Sequence, residues 1–214
     1  MRGDDRQVVE VGCGTGGNLP MLAQFGRVLA AEHETLALAH VRRQHEDRFE
    51  ILPHTIPEPL PRKFDILAML DVLEHIEDDA GALTWASEQL ASGGVAVFTV
   101  PAFQFLWSEL DVAVHHFRRY RPSTLRALVP PSLEILHLSC YNTLLFAPIA
   151  CVRLAQRLLP KSVRTGGEQL DVPPRAINWL FYRLFRAERH VAPRFRVPFG
   201  VSLLLVLRRR APSG

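Results

Sequence analysis

Five short apolar runs in the first hundred residues limit what this chain can fold into. They are Gln7–Val11 (QVVEV), Arg27–Ala31 (RVLAA), Phe49–Leu52, Phe64–Leu70 (FDILAML) and Gly94–Val100 (GVAVFTV). Helix-like stretches separate them at Asn18–Phe25, Thr35–Gln44 and Asp78–Leu90. The third of these helices opens with acidic residues, which suits its dipole. Runs that are apolar at nearly every position are strands buried on both faces. Such strands belong to a parallel sheet with helices packed on either side. The second half differs. An irregular stretch, Pro101 to Arg121, holds Trp107 and the run HHFRRY, and Pro122 then opens a helix. Two more strand-like runs follow, Leu133–Tyr141 (LEILHLSCY) and Gly200–Leu207 (GVSLLLVL). Between them lie two helical segments, Asn142–Leu159 and Pro174–Arg189, joined by a polar linker containing Thr165, Gly166 and Gly167.

Composition removes several classes. With 214 residues, 48% hydrophobic and 22% charged, the chain is neither disordered nor collagen-like nor a disulfide scaffold. The most apolar long segment, Thr143 to Pro160, is interrupted by Arg153, Gln156 and Arg157, so no membrane span is expected. MRGDDRQ leads directly into a strand, so no signal peptide is expected. The cysteines, Cys13, Cys140 and Cys151, are odd in number and share no metal-type spacing. A reducing cytoplasm is the expected compartment. Charge is unevenly spread. Residues 1–107 hold 8 Lys/Arg against 16 Asp/Glu, a balance of −8, while residues 108–214 hold 17 against 6, a balance of +11. The basic half is suited to phosphates or an anionic membrane surface.

Residues 10–17 read Glu-Val-Gly-Cys-Gly-Thr-Gly-Gly, between a strand and a helix. Gly12, Gly14 and Gly17 satisfy the dinucleotide fingerprint, and Glu32 sits at the ribose-binding distance beyond them. The NAD reading is therefore open on these residues. A second frame is Glu10-x-Gly12-x-Gly14-x-Gly16. A carboxylate ahead of the glycines suits a ligand bearing an ammonium and would be badly placed beside a pyrophosphate. S-adenosylmethionine carries an ammonium, a sulfonium and a ribose, and no phosphate.

Further segments favour the second frame. Asp71-Val72-Leu73-Glu74-His75-Ile76 follows the fourth strand, Leu90-Ala91-Ser92-Gly93-Gly94 leads into the fifth, and Thr99-Val100-Pro101 ends it. Taken together, residues 7 to 141 resemble the class I S-adenosylmethionine-dependent methyltransferases, most closely the bacterial small-molecule enzymes related to quinone biosynthesis. HHFRRYRPSTLRAL, YNTLLF and VPFGVSLLLV resemble a bacterial subgroup of them. The resemblance implies an α/β, doubly wound, mostly parallel seven-stranded sheet with an antiparallel last strand. Residues 1–141 and 199–210 would form the cofactor-binding domain. Residues 142–198 would form a helical insertion where the family has a short hairpin. Their apolar residues recur at helical spacing among arginines, so they are expected to cap the acceptor site and to meet a membrane surface or lipid-like acceptor, with packing on each other or on a second subunit as the alternative. The family usually has a helix before the first strand. Only six residues precede Gln7, so either the start lies upstream or the site is unusually open.

The resemblance also implies roles. The backbone at Gly12, Cys13, Gly14 and Gly16 would lie against the methionine moiety, with Glu10 holding its ammonium. Glu32 would bind the ribose, His33 would flank the adenine, and Thr55 and Ile56 would pack its other side. Thr55 stands near where the family often has an acidic residue. Leu70 and Asp71 would face the sulfonium. Cys13 reads as a packing residue, and Glu74 as a helix-start carboxylate. His75 is the leading base candidate. His116 and Tyr120 are further catalytic candidates in the stretch walling the acceptor pocket, which also holds His115. Arg118, Arg119 and Tyr120 would alternatively grip an anionic acceptor, as guanidinium groups suit carboxylate or phosphate. No Cys/His pair has zinc-ligand spacing, so no metal is expected. Methyl transfer to a small-molecule or lipid-like acceptor is the leading reading. A non-catalytic adenosine-ligand-binding protein and an NAD-dependent oxidoreductase are the alternatives. No nucleic-acid partner is expected, because no Asn/Asp-Pro-Pro-Tyr motif follows the fourth strand.

Overall fold

The computed structural model describes residues 5–158, 174–188 and 197–211. The strands are β1 Gln7–Val11, β2 Arg27–Glu32, β3 Glu50–Pro53, β4 Phe64–Leu70, β5 Leu90–Pro101, β6 Leu133–Tyr141 and β7 Ser202–Arg209. The helices are α1 Leu19–Leu22, α2 Thr35–His45, α3 Asp79–Gln89, α4 Glu109–Ala113, α5 Pro122–Ala127, α6 Phe146–Leu158 and α7 Arg175–Glu188. A single seven-stranded sheet has the order β3-β2-β1-β4-β5-β7-β6. The first five strands pair in parallel, and β7 lies antiparallel between β5 and β6. The expected fold class is the observed one. The linker glycines Gly166 and Gly167, with Thr165, and Arg189 at the end of the second helical segment lie outside the described residues.

The buried runs explain the layering. Leu67, Met69, Phe98, Leu203 and Leu205 face α3 and α5 in the larger core, which also takes in Trp85 and Leu125. Val8, Val28, Ala30 and Ala68 face the other side, under Leu19, Leu22 and Val41 from α1 and α2. Local signals set the helix starts. Glu34 accepts from Leu36 and Ala37 N–H ahead of α2, and Asp78 accepts from Gly81 N–H ahead of α3. The helix expected over Asn18–Phe25 is only one turn. After Leu22 the chain turns through 1→4 bonds from Gln24 and Phe25 N–H and reverses at Gly26. β5 starts earlier than expected because the bulge between Phe64 and Ile66 absorbs the glycines after Leu90.

Strand order reverses between β1 and β4, which opens a crevice at their carboxyl ends, where open α/β sheets bind ligands. A separate groove of about 540 Å³, lined by Met21, Phe25, Ile66, Leu70, Val95 and Val97 among others, lies along the α1 side of the sheet.

Candidate active site

The glycine loop leaves β1 at that crevice. Gly12 and Cys13 N–H donate to the Ala31 carbonyl of β2, at 2.8 and 3.2 Å, so the loop folds over the neighbouring strand. Gly12, Gly14 and Gly16 all have positive φ, at 71°, 56° and 84°. A Cβ on Gly12 would stand 2.6 Å from Val72, and one on Gly16 2.7 Å from His45. Over Gly14 there is open space. Gly17 needs no glycine on either count, having an ordinary φ and no neighbour within 4 Å of a built Cβ. The third dinucleotide glycine exists to permit close helix packing. The loop is thus built on the 12-14-16 frame.

Two buried carboxylates flank the loop. Glu32 is 4% exposed, and its oxygens accept from Gly14 N–H at 2.7 Å, His33 N–H at 2.8 Å and Glu34 N–H at 2.9 Å. Glu10 is 1% exposed; one oxygen accepts from the Asn18 amide at 2.8 Å and the other has no partner. Burial, with a further push from Glu32, raises the Glu10 carboxyl to about 7. An orphaned buried oxygen at this point fits a cationic group on a ligand and opposes a pyrophosphate. Cys13 is buried, and burial beside the two carboxylates raises its thiol to about 12, so it packs rather than attacks.

The rim where the acceptor is expected is built by the chain after β4 and after β5. Asp71 takes a positive φ of 55°, its N–H held by the Thr99 carbonyl and hydroxyl, each at 3.0 Å. The short 3₁₀ turn Leu73–His75 then carries Glu74 inward and His75 outward. The Phe117 N–H donates to the Glu74 carbonyl at 2.8 Å, which lays the HHFRRY stretch along this turn. His75 and His116 meet edge to face with ring centroids 4.6 Å apart. His116 Nδ1 is 2.9 Å from Asp111, and its Nε2 is 3.8 Å from Glu74. Glu74 is 1% exposed, and neither of its carboxylate oxygens has a hydrogen-bond partner. Burial foremost, and then Asp71 and Asp111, push its carboxyl up to about 8.

The fold therefore brings His75 and His116 together and separates others from them. Tyr120 is 2% exposed, and its hydroxyl donates to Asp79 at 3.0 Å inside the core. Burial and Asp79 raise its pKa, so it is placed for packing rather than proton transfer. Arg119 makes a two-bond pair with Asp111, at 2.7 and 3.0 Å, and Arg118 pairs with Asp79 at 2.7 Å. These arginines are scaffold cations; their guanidinium groups are occupied by internal carboxylates rather than offered to an anionic acceptor. His115 is exposed, with φ 61°. Of the residues expected to border the adenine, His33 is 69% exposed, Thr55 is exposed and Ile56 packs on the core. Asp111 and Asn18 were not legible as site residues. Asp111 hides in a helix-start capping box with Ser108, and Asn18 reads as an ordinary helix cap.

The insertion meets this end of the molecule. Phe146 at the start of α6 packs on Phe103, Phe105 and Phe199, with centroids 5.9–6.1 Å apart. Glu188 at the end of α7 accepts from Thr143 N–H and hydroxyl at 2.8 and 2.6 Å.

A family model described as a methyltransferase domain matches residues 2–131, more than half of the chain. The chain belongs to this methyltransferase-domain family. Among curated relatives, the ubiquinone biosynthesis O-methyltransferase of Pseudomonas aeruginosa PAO1 is 26% identical over 142 residues, covering 57% of this chain and 61% of that protein. The enzyme of the same name from Pseudomonas fluorescens Pf0-1 is 23% identical over the same length. The chain thus spans about three-fifths of the curated relatives it matches. Among solved structures, an S-adenosylmethionine-dependent methyltransferase from Mesorhizobium loti superposes with a TM-score of 0.61 at 18% identity, covering 98% of this chain and 93% of that one. The N-methyltransferase NodS of Bradyrhizobium japonicum, in complex with S-adenosyl-l-homocysteine, gives 0.56 at 13% identity, covering 98% and 80%. These two structures share the methyltransferase fold.

Proposed function

We propose that this methyltransferase-family protein transfers a methyl group from S-adenosylmethionine to a small-molecule acceptor. The observation that carries the reading is the pair of buried carboxylates, Glu10 and Glu32, around a glycine loop with open space over Gly14. When bound, S-adenosylmethionine supplies a methyl on a cationic sulfur, an electrophile needing no activation by the protein. Glu10 holds the ligand's ammonium through its unpartnered oxygen. Glu32 holds the ribose hydroxyls with the lone pairs its backbone bonds leave free, and Gly12, Cys13 and Gly14 present backbone to the methionine moiety. His33, Thr55 and Ile56 border the adenine, and Leu70 and Asp71 stand at the strand end toward the sulfonium. The acceptor lies against His75 and His116, on the side where Phe146 of α6 packs on Phe103, Phe105 and Phe199. Orientation of this kind supplies roughly 7–11 kcal/mol of a methyl-transfer barrier. The relatives' O-methyltransferase name supports a hydroxyl-bearing acceptor.

Calorimetry with S-adenosylhomocysteine and with NADH tests the reading. Binding of the first and not the second is expected; the reverse result overturns it.

A lipid-like acceptor is the second reading. The observation favouring it is α7, where Trp179, Tyr182 and Phe185 are exposed at 61%, 57% and 51% beside Arg175, Arg183 and Arg186. Among the described residues no helix is long and apolar enough to cross a membrane, whereas a basic aromatic helix lies along an interface. A chain lacking 143–197 is expected to keep S-adenosylhomocysteine binding and lose turnover; unchanged turnover removes the cap from the acceptor site.

A further inference from the structure

We propose that a cavity at the amino-terminal ends of β1, β2 and β3 binds a small polyanion, carrying phosphate or carboxylate groups, through Arg27, Arg48 and Arg62. The cavity holds about 510 Å³, and the three arginines line it together with Gln7, Phe49 and Glu50 among others. That volume suits a molecule of metabolite size. The cavity lies away from the crevice. Gln7 and Arg27 open β1 and β2, whereas the glycine loop and Glu32 stand at the far ends of the same strands. The site therefore rests on nothing in the methyl-transfer reading.

Charge is the first observation that points to an anion. Glu50 is the one acid among the lining residues, so three guanidinium groups surround a single carboxylate. Arg62 donates two bonds to Glu50, at 2.6 and 3.2 Å, and holds its carboxyl below the ordinary range. Among the described residues no carboxylate pairs with Arg27 or Arg48. The cavity thus gathers a surplus of two positive charges, inside a half of the chain whose balance is −8. A concave wall of one sign focuses its field, and an anion inside relieves the repulsion.

The second observation is that two of the guanidinium groups are held in place. Arg62 reaches across the strand ends, where its Nε donates to Gln7 at 2.9 Å and its guanidinium carbon lies 5.3 Å from the Phe64 ring centre. Its bonds to Gln7 and Glu50 use three of the five N–H groups that an arginine carries. Arg48 lies over the Phe49 ring at 5.5 Å. Guanidinium forks fixed beforehand lose less freedom when an oxyanion docks, and their planar donor pairs match its oxygens. The groove along α1, lined by Met21, Phe25 and Ile66, has none of this character.

The test uses the full chain at fixed ionic strength, titrated by calorimetry with inorganic pyrophosphate and, separately, with citrate. One equivalent per chain is expected for at least one of the two. Tighter pyrophosphate assigns a phosphate ligand, and tighter citrate a carboxylate one. Arg27→Ala and Arg48→Ala should each weaken that binding about tenfold or more. Arg27→Lys keeps the charge and loses the fork, so it should weaken binding as well. Arg183→Ala, on α7, should leave it unchanged. No stoichiometric uptake of either anion overturns the site. So does uptake that survives both alanine variants, or that falls in Arg183→Ala, because the anion then sits on the basic second half. Arg27 and Arg48 are exposed, so their variants should melt with the parent chain. Should an alanine variant melt early, Arg27→Lys decides, and full affinity there overturns recognition by the fork. S-adenosylhomocysteine binding on the same samples keeps the outcomes apart: intact binding without anion uptake overturns the anion site and leaves the methyl-transfer reading standing.

Discussion

Glu10 and Glu32 share a crevice but are satisfied differently, and their substitutions should differ accordingly. Glu10 keeps a proton in the folded, ligand-free chain up to about pH 7, against an ordinary 4.5, because burial disfavours its charge. Its contribution to stability is full below pH 4.5 and is lost as pH climbs through 7. An ammonium beside the orphaned oxygen reverses the preference, so binding expels the proton. Affinity for S-adenosylhomocysteine should therefore rise with pH up to about 7, by at most about tenfold per unit, and level off above. The groups facing Glu10 are Asn18, Cys13 and Glu32, and none supplies a compensating cation. Glu10→Gln should flatten the profile in calorimetry; an unchanged slope assigns the proton elsewhere. Glu32→Ala removes a ribose partner worth ~1.5–3 kcal/mol, so binding should weaken roughly ten- to a hundredfold. It also frees the Gly14 N–H, so the loop should gain amide exchange near Gly14. Unchanged affinity in that variant would leave Glu32 a loop tether only. Both carboxylates stood out in the sequence because their positions are tied to strand ends. Asp111 did not, because its role depends on a partner, Arg119, that only the fold places against it.

At the level of elements, the stretch between β5 and α5 is held by two ion pairs, Asp111–Arg119 within it and Arg118–Asp79 to α3, rather than by a strand or long helix. Asp111 and Arg119 are almost wholly enclosed, with side chains 1% and 10% exposed. Removing one partner of such a pair strands the other charge, at a cost of about 3–5 kcal/mol. Asp111→Ala should lower the unfolding midpoint and release His116, and His75→Ala should lower turnover more than cofactor binding. Equal losses of turnover and binding in His75→Ala would make it a packing residue. All seven strands were legible, since runs such as FDILAML can only be strands buried on both faces, and β1, β4 and β6 begin and end where the pattern places them. Two features were not. α1 is cut to one turn by the need to reverse at Gly26, which is a tertiary demand. The Glu74–His75–His116 cluster joins segments far apart in sequence, and spacing read along the chain has no access to it.

Across the whole molecule, charge is segregated in the same sense as function. The half that builds the glycine loop carries −8, and the half that holds α6 and α7 carries +11. On the proposed reading the carboxylates of the first half meet a cationic ligand, and the same negative balance repels an anionic surface. The second half presents its arginines on α7 beside aromatic side chains that are more than half exposed at Trp179, Tyr182 and Phe185. A basic aromatic face adsorbs to anionic lipid through about 1 kcal/mol per basic residue near the surface, a term that decays within the Debye length. Adsorption should therefore depend on lipid charge and on salt together. In flotation, the chain should rise with vesicles containing anionic lipid at low ionic strength, stay down with neutral vesicles, and leave the anionic ones as salt is raised toward ~1 M, where the Debye length falls to about 3 Å. Arg183→Glu with Arg186→Glu should abolish the rise while leaving S-adenosylhomocysteine binding intact, because both lie on α7, outside the glycine loop and the Glu74 cluster. A chain that stays in the soluble fraction with every vesicle makes α7 a protein-facing helix and returns the acceptor to the small-molecule class.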